Sequence, residues 1–224
     1  MSRHIGKKAR QKKRILLPGS YLIVSEGTVT EVAYFNEWAK LINEAYQGIS
    51  ASPVVRVIGC GESNQKLVDY VKQEQALDEK IYENVWLVFD KDDFPDADFN
   101  TAIRTAKKLK WHAAWSNNCF ELWYVLHFDY LTTAVDRKTY YDKLSRELVR
   151  NGLATDYQKN DQSILELLTP DRRQTAISRA KKLMASYAEY RATPNSQRDP
   201  ATTVYVLVEE LEKLVEAGRR LQQR

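Results

Sequence analysis

Acidic and amide side chains stand directly after three apolar stretches of the chain. They are Glu26 after residues 21–24, Asp90, Asp92 and Asp93 after residues 85–89, and Asn117 and Glu121 after residues 111–115. In an open parallel sheet the carboxyl ends of the strands meet at one edge, so these side chains are expected to come together there. Carboxylates held close together repel each other unless a cation neutralises them. Oxygen ligands suit Mg²⁺ or Mn²⁺, which can polarise a phosphoryl oxygen and lower the pKa of a bound water.

The spacing of Asp90 and Asp92 has a physical reason of its own. Residues i and i+2 of an extended chain point to the same side, so both carboxylates can reach one ion. An isolated pair of this kind is common in acidic turns and indicates little alone. Glu26 strengthens the metal-site interpretation, and so does Glu31, about one turn into the helix that follows it. Glu31 is a candidate to hold a second ion or to orient a water molecule.

The elements that must position these residues follow from the hydrophobic pattern. Short, almost wholly apolar stretches alternate with amphipathic segments over the first 130 residues or so. Such a pattern predicts an α/β unit in which a parallel sheet is covered on both faces by helices. From Lys138 onward the pattern is helical instead. The predicted helices span about 140–150, 172–190 and 204–221, with a polar loop over 191–200.

The formal net charge of +4 is unevenly distributed. Residues 1–14 hold seven of the 34 basic side chains and no acid, which leaves 27 basic against 30 acidic residues, a body of charge −3. Such an arm can neutralise phosphates without reading base sequence; the alternative is a solvated tail that aids solubility. The residues assigned to nucleic-acid contact are Lys7, Lys8, Arg10, Lys12, Lys13, Arg14 and Asn117.

Three regions follow from the pattern and the charge together. They are a basic arm over residues 1–18, an α/β catalytic core over 19–130, and a helical region over 131–224 that packs on the core.

Composition excludes several classes of protein. The apolar fraction of 43% and the charged fraction of 29% are those of a globular domain. Cys60 and Cys119 have the spacing of neither a zinc site nor a disulfide framework, so a reducing cytoplasm is the expected compartment. No apolar run reaches the roughly 18 residues of a membrane span, and residues 15–17 are too short for a signal peptide. Residues 59–61 lack the remainder of a dinucleotide-binding motif, and no Walker lysine motif is present.

The sequence blocks around the acids resemble a known signature. Residues 24–31 (VSEGTVTE) and 88–93 (VFDKDD) resemble the Toprim signature shared by topoisomerases, primases and OLD-family nucleases. Within that superfamily the chain is most similar to RloB-like proteins, the small Toprim proteins of abortive-infection and restriction-associated loci. Three further blocks carry the likeness: 116–123 with 126–128, 157–160, and 199–204 with 207–208. Asn118 replaces an expected proline and Asp199 an expected asparagine, and neither is a candidate ligand.

The resemblance implies a Toprim-like, Rossmann-type parallel sheet with a C-terminal helical appendage, and an Mg²⁺- or Mn²⁺-dependent nuclease. It implies that Glu26, Asp90 and Asp92 hold the metal, and that Lys159 offsets negative charge on the phosphoryl group. The full set of candidate catalytic residues is Glu26, Glu31, Asp90, Asp92, Glu121 and Lys159. It also implies a role in phage defence beside a separately encoded ATPase. DNA, tRNA and other RNA stay open as substrates, and so does a homo-oligomeric state.

Each candidate residue also has a purely structural interpretation. Glu26 suits the first turn of a helix because of the helix dipole, Asn117 suits a helix cap, and Lys159 an exposed surface. His127, among aromatic and aliphatic neighbours, is expected to be a packed core histidine rather than a catalyst. Two rival functions also stay open: a primase-like enzyme that makes phosphodiester bonds, and a non-catalytic module that binds nucleic acid or the ATPase.

Overall fold

The computed structural model describes residues 15–50, 52–78, 80–159, 162–188 and 193–223. In chain order the elements are β1 (Ile15–Ser25), α1 (Thr30–Ala45), β2 (Val55–Gly59), α2 (Asn64–Leu77), β3 (Lys80–Asp90), α3 (Asp96–Lys108), β4 (His112–Asn117), α4 (Glu121–Val125), α5 (Arg137–Arg150), a 3₁₀ helix (Ser163–Leu167), α6 (Pro170–Ser186), a second 3₁₀ helix (Asn195–Gln197), β5 (Ala201–Thr202) and α7 (Val204–Gln222). The basic residues of the arm, 1–14, lie outside the described residues.

A five-stranded sheet in the order β2-β1-β3-β4-β5 forms the centre of the fold. The first four strands are parallel and β5 runs antiparallel to β4. The predicted α/β class with a mostly parallel sheet between helices is therefore confirmed. β3 is the central strand, with β1 on one side and β4 on the other. The ends of β1, β3 and β4 consequently lie next to each other.

The two faces of the sheet are covered by different helices. Side chains of a strand alternate between faces, so Tyr21 and Ile23 of β1 join the cluster that contains α1, α4, α5, α6 and α7. Leu22 and Val24 join the cluster on the opposite face, which contains α2 and α3. Because both faces are buried, residues 21–24 of β1 and 85–89 of β3 are apolar at every position, which is the pattern seen in the sequence.

The C-terminal helices share the core of the α/β unit. Buried residues of α5, α6 and α7 belong to the same hydrophobic cluster as β1 and α1. α7 packs closely on the end of α1, where Gly218 lies against the ring of Tyr46 and the carbonyl of Ala45. Across the described ranges, no helix is both long enough and apolar enough to cross a bilayer.

Several boundaries differ from the predicted ones. β1 and β3 are each 11 residues long and begin well before the apolar stretches 21–24 and 85–89. Their first residues already pair with each other, from Ile15↔Lys80 to Leu17↔Tyr82. After β4 the chain forms only the five-residue helix α4. Asn64 is the first residue of α2, and Ser63 occupies the cap position.

Changing Gly218 to alanine tests the packing of α7 on α1. The added Cβ would lie 2.6 Å from the Tyr46 ring and 2.7 Å from the Ala45 carbonyl oxygen. Helix propensity alone would favour alanine by about 1 kcal/mol, but we expect overpacking to lower the free energy of unfolding by about 1–3 kcal/mol. Urea denaturation measures the change, with the exposed Lys213→Ala on the same helix as control. A more stable Gly218→Ala variant would contradict the described contact.

Candidate active site

Glu26 lies one residue beyond β1 and is fixed by its neighbours on both sides. Its backbone N–H donates to the Val88 carbonyl at 2.8 Å, and its carbonyl accepts from the Gly61 N–H at 3.0 Å. The side chain turns towards β3, where Oε2 accepts from the Asp90 N–H at 3.3 Å. The carboxylate of Glu26 therefore lies against the last residue of the central strand.

Asp90 ends β3 and is almost completely buried, with 7% of its surface exposed. Its Oδ2 accepts a hydrogen bond from the Phe120 N–H at 3.1 Å, just before α4 begins. Glu121, the next residue, is 1% exposed. Its Oε1 accepts from the Tyr157 hydroxyl at 3.3 Å, whereas Oε2 is buried without a hydrogen-bond partner among the described residues.

Glu31, in the first turn of α1, brings a further carboxylate to the same place. The side chain is buried and its carboxylate lies directly on Gly27, where a Cβ would overlap it. Only glycine leaves room for the Glu31 carboxylate in this position. The loop after β1 and the first turn of α1 thus supply two acids, Glu26 and Glu31, and Gly27 between them leaves room for the Glu31 carboxylate.

Electrostatics show that these four carboxylates interact. Burial raises the pKa of Asp90 well above its ordinary value, and the charges of Glu31, Glu121 and Glu26 raise it further. Burial also raises the pKa of Glu26 to about 7, with Glu31 adding to the shift and the Asp90 N–H opposing it. Burial and the charge of Glu121 raise the pKa of Glu31. In the absence of a cation, Glu26, Glu31 and Asp90 therefore release their protons less readily than isolated carboxylates do.

Asp92 does not extend β3 in the way that the sequence pattern suggests. β3 ends at Asp90, and Asp92 has a left-handed backbone with φ of 42°, which a non-glycine residue adopts only when neighbours hold it. Its N–H donates to the Asn118 carbonyl at 3.0 Å. The carboxylate forms an ion pair with Arg137, the first residue of α5.

Lys159 lies beside the acids. Its backbone carbonyl accepts from the Thr30 hydroxyl at 3.0 Å, and its ammonium group lowers the pKa of both Glu26 and Glu31. Together with Gln158 and residues 27–31 it lines an open cleft of about 360 Å³. The cleft gives a path from solvent to the Glu31 side of the cluster.

Other candidate residues have different surroundings. The Asn117 side chain is buried, and its amide donates to the Ser196 carbonyl at 2.8 Å. β4 extends to Asn117 and α4 begins only at Glu121, so these two residues do not share a helix face. Asp93 is exposed. His127 is buried beside Trp123, and burial lowers the pKa of His127 to about 3, so it is the packed core histidine that was expected.

Among the described residues, the cluster has the donor type of a divalent-cation site but not a finished arrangement of ligands. In the described part of the chain, no three His, Cys, Asp or Glu side chains are already arranged to hold a metal ion. The donor set nevertheless fits a hard cation in type and charge, because the free Oε2 of Glu121 is buried and the pKa of Asp90 is raised by three neighbouring acids. Asp92 fits only if its pair with Arg137 opens.

Comparison with protein-family models identifies the family of the chain. A family model described as RloB-like protein matches residues 21–211, a stretch that contains every candidate acid, Arg137 and Lys159. The chain belongs to the RloB-like family. Neither the curated proteins nor the solved structures contain a significant match.

Arg137 and Tyr157 are the two site residues that sequence reasoning missed in this member of the RloB-like family. Tyr157 contacts Glu121 from a distant loop, and Arg137 contacts Asp92 across 45 positions of the chain. Tyr157 lies in a block that resembles the family, and this was its only signal in the sequence. Arg137 carries none, because one arginine at the start of an amphipathic helix is ordinary.

The raised pKa of Glu26 predicts how stability depends on pH when chelator keeps the protein free of metal. Since the folded-state pKa is about 7 against an ordinary 4.5, the folded chain binds the extra proton. Its stabilising contribution is present below pH 4.5 and lost as pH rises through 7. We expect Glu26→Gln to become the more stable protein by about 2 kcal/mol between pH 5 and 8.

Thermal and urea unfolding across this pH range measure the effect. The exposed Glu37→Gln on α1 is the control for the loss of one negative charge. Parallel stability curves for wild type and Glu26→Gln would show that Glu26 is not desolvated as described.

Proposed function

We propose that this protein is a divalent-cation-dependent phosphodiesterase that cleaves nucleic acid. The observation that carries the proposal is the gathering of four carboxylates from separate parts of the chain at the carboxyl edge of the sheet. Glu31, Asp90 and Glu121 are buried there, and Glu26 is half-buried. Carboxylates that raise one another's pKa values destabilise the fold, and such groups are concentrated at functional sites. Binding Mg²⁺ or Mn²⁺ is the purpose that the donor type favours.

The residues of the cluster divide into two groups in this proposal. Glu26, Asp90 and Asp92 would hold the cation, which supplies Lewis acidity to the scissile phosphate and lowers the pKa of a nearby water. Glu31 lies at the cleft beside Lys159 and accepts the proton of the attacking water. Glu121, anchored by Tyr157, orients that water.

The bond changes are those of hydrolysis. The water oxygen forms a bond to phosphorus, the bond between phosphorus and the leaving oxygen breaks, and the leaving alcohol takes up a proton from solvent. Lys159, whose ammonium group already lowers the pKa of Glu26 and Glu31, offsets the negative charge that develops on the phosphoryl oxygens.

The substrate and the setting are proposed on sequence grounds. The basic residues 7–14 favour a polyanion such as DNA, tRNA or another RNA. The likeness to RloB-like proteins supports an effector role in phage defence, with a separately encoded ATPase as partner and the cytoplasm as the site of action.

Activity assays on the Asp90→Asn variant test the proposal. Purified protein is incubated with plasmid DNA and with total tRNA in Mg²⁺ or Mn²⁺, with and without the ATPase encoded beside it. We expect cleavage that chelator abolishes, and a loss of roughly a hundredfold or more in Asp90→Asn because a ligand of the cation is gone. The exposed neighbour Asp93→Asn is the matched control and should cleave like wild type.

Each rival function has its own outcome in the same assay. Nucleotide incorporation on a template without strand loss would replace the hydrolase by a primase-like enzyme. Equal cleavage by wild type and Asp90→Asn would assign the activity to a contaminant, and retained binding without any cleavage would favour a non-catalytic module.

A further inference from the structure

Arg137 is a cation at the edge of the acid cluster, and among the described residues its guanidinium group has one ion-pair partner. It ion-pairs with Asp92, and its Nε is buried without a hydrogen-bond partner in the described part of the chain. The side chain as a whole is 41% exposed. A guanidinium group with one carboxylate partner and an open side can rotate towards solvent without breaking other hydrogen bonds of its own.

Asp92, in contrast, is fixed by its backbone. The left-handed φ of 42° and the hydrogen bond from its N–H to the Asn118 carbonyl hold the carboxylate on the side of α5. The Asp90 carboxylate is held separately by the Phe120 N–H. A cation that bound the Asp92 carboxylate would therefore compete with the Arg137 guanidinium group, which is already paired with that carboxylate.

We propose that Arg137 stands in for the cation beside Asp92 when the site is empty, and contacts a phosphate oxygen of the substrate once the cation is bound. The inference rests on the proposed function. A guanidinium group suits both positions, because it is always charged, weakly hydrated and able to bind carboxylate or phosphate with two parallel N–H groups. Arg137 is then a catalytic residue that also sets the affinity for the cation.

Two effects of opposite sign follow from this double role. Removing the guanidinium group frees Asp92 and removes a repelling charge, so the cation binds more tightly. The same change removes a donor to the phosphate, so hydrolysis slows. If Arg137 only stabilised the start of α5, its removal would not tighten cation binding.

The experiment measures Mn²⁺ binding and turnover separately. Free Mn²⁺ is followed by its electron paramagnetic resonance signal, and bis(p-nitrophenyl) phosphate is the phosphodiester probe. We expect Arg137→Gln to bind Mn²⁺ roughly fivefold more tightly than wild type and to hydrolyse the probe roughly a hundredfold more slowly. Millimolar guanidinium ion should restore part of the turnover of Arg137→Ala.

Two further variants serve as controls. Lys138→Gln removes one charge from the exposed neighbour of Arg137 on the same helix turn and should leave Mn²⁺ affinity unchanged. Arg137→Lys keeps the charge without the two parallel donors, so it should bind Mn²⁺ like wild type and still turn over slowly.

The outcomes separate this inference from the proposed function. Unchanged Mn²⁺ affinity in Arg137→Gln would overturn the role of Arg137. If Asp90→Asn lost Mn²⁺ binding in the same experiment, the proposed cation site would still stand. A wild-type protein that binds no Mn²⁺ would overturn both. Tighter binding with normal turnover would overturn the contact to phosphate.

Discussion

Repulsion among buried carboxylates at the carboxyl edge of the sheet is the constraint around which the rest of this molecule is arranged. Asp90 ends the central strand, and three other acids raise its pKa from positions before and after it in the chain. The surrounding structure offers limited compensation. Backbone N–H groups of Asp90 and Phe120 and the hydroxyl of Tyr157 donate to the acids, and Arg137 and Lys159 supply the nearby positive charge.

The hydrophobic core makes this arrangement tolerable. Both faces of the sheet are packed with helices, so β1, β3 and β4 cannot move apart to relieve the repulsion. The approach of the loops is equally tight. A Cβ on Gly59 would lie 2.6 Å from the Thr28 Cα and 2.7 Å from the Gly27 carbonyl oxygen, so β2 closes directly against the loop that carries Glu26. Free energy from packing therefore offsets the unfavourable electrostatics at the edge.

The sequence predicts the parts of the site that depend on local patterns. Glu26 and Asp90 follow the wholly apolar stretches 21–24 and 85–89, and the rule that parallel strands end at one edge is enough to bring them together. The conformation of Asp92 was beyond this reasoning, because alternation along a strand says nothing about a residue after the strand ends. Arg137 and Tyr157 reach the site through tertiary packing of α5 and the loop after it, which no short-range spacing encodes. β5 is two residues long and carries no periodicity.

The shortness of β5 has a consequence for how copies of the chain could associate. It runs antiparallel beside β4, the Ser116 and Thr202 hydroxyls hydrogen-bond at 3.0 Å, and α7 starts at Val204. The chain thus leaves the sheet plane before a foreign strand could find a row of unpaired backbone groups. Any dimer built by joining sheets edge to edge would have to use the opposite margin, β2, where the Arg56 guanidinium group is already engaged by Glu74 and Asp78.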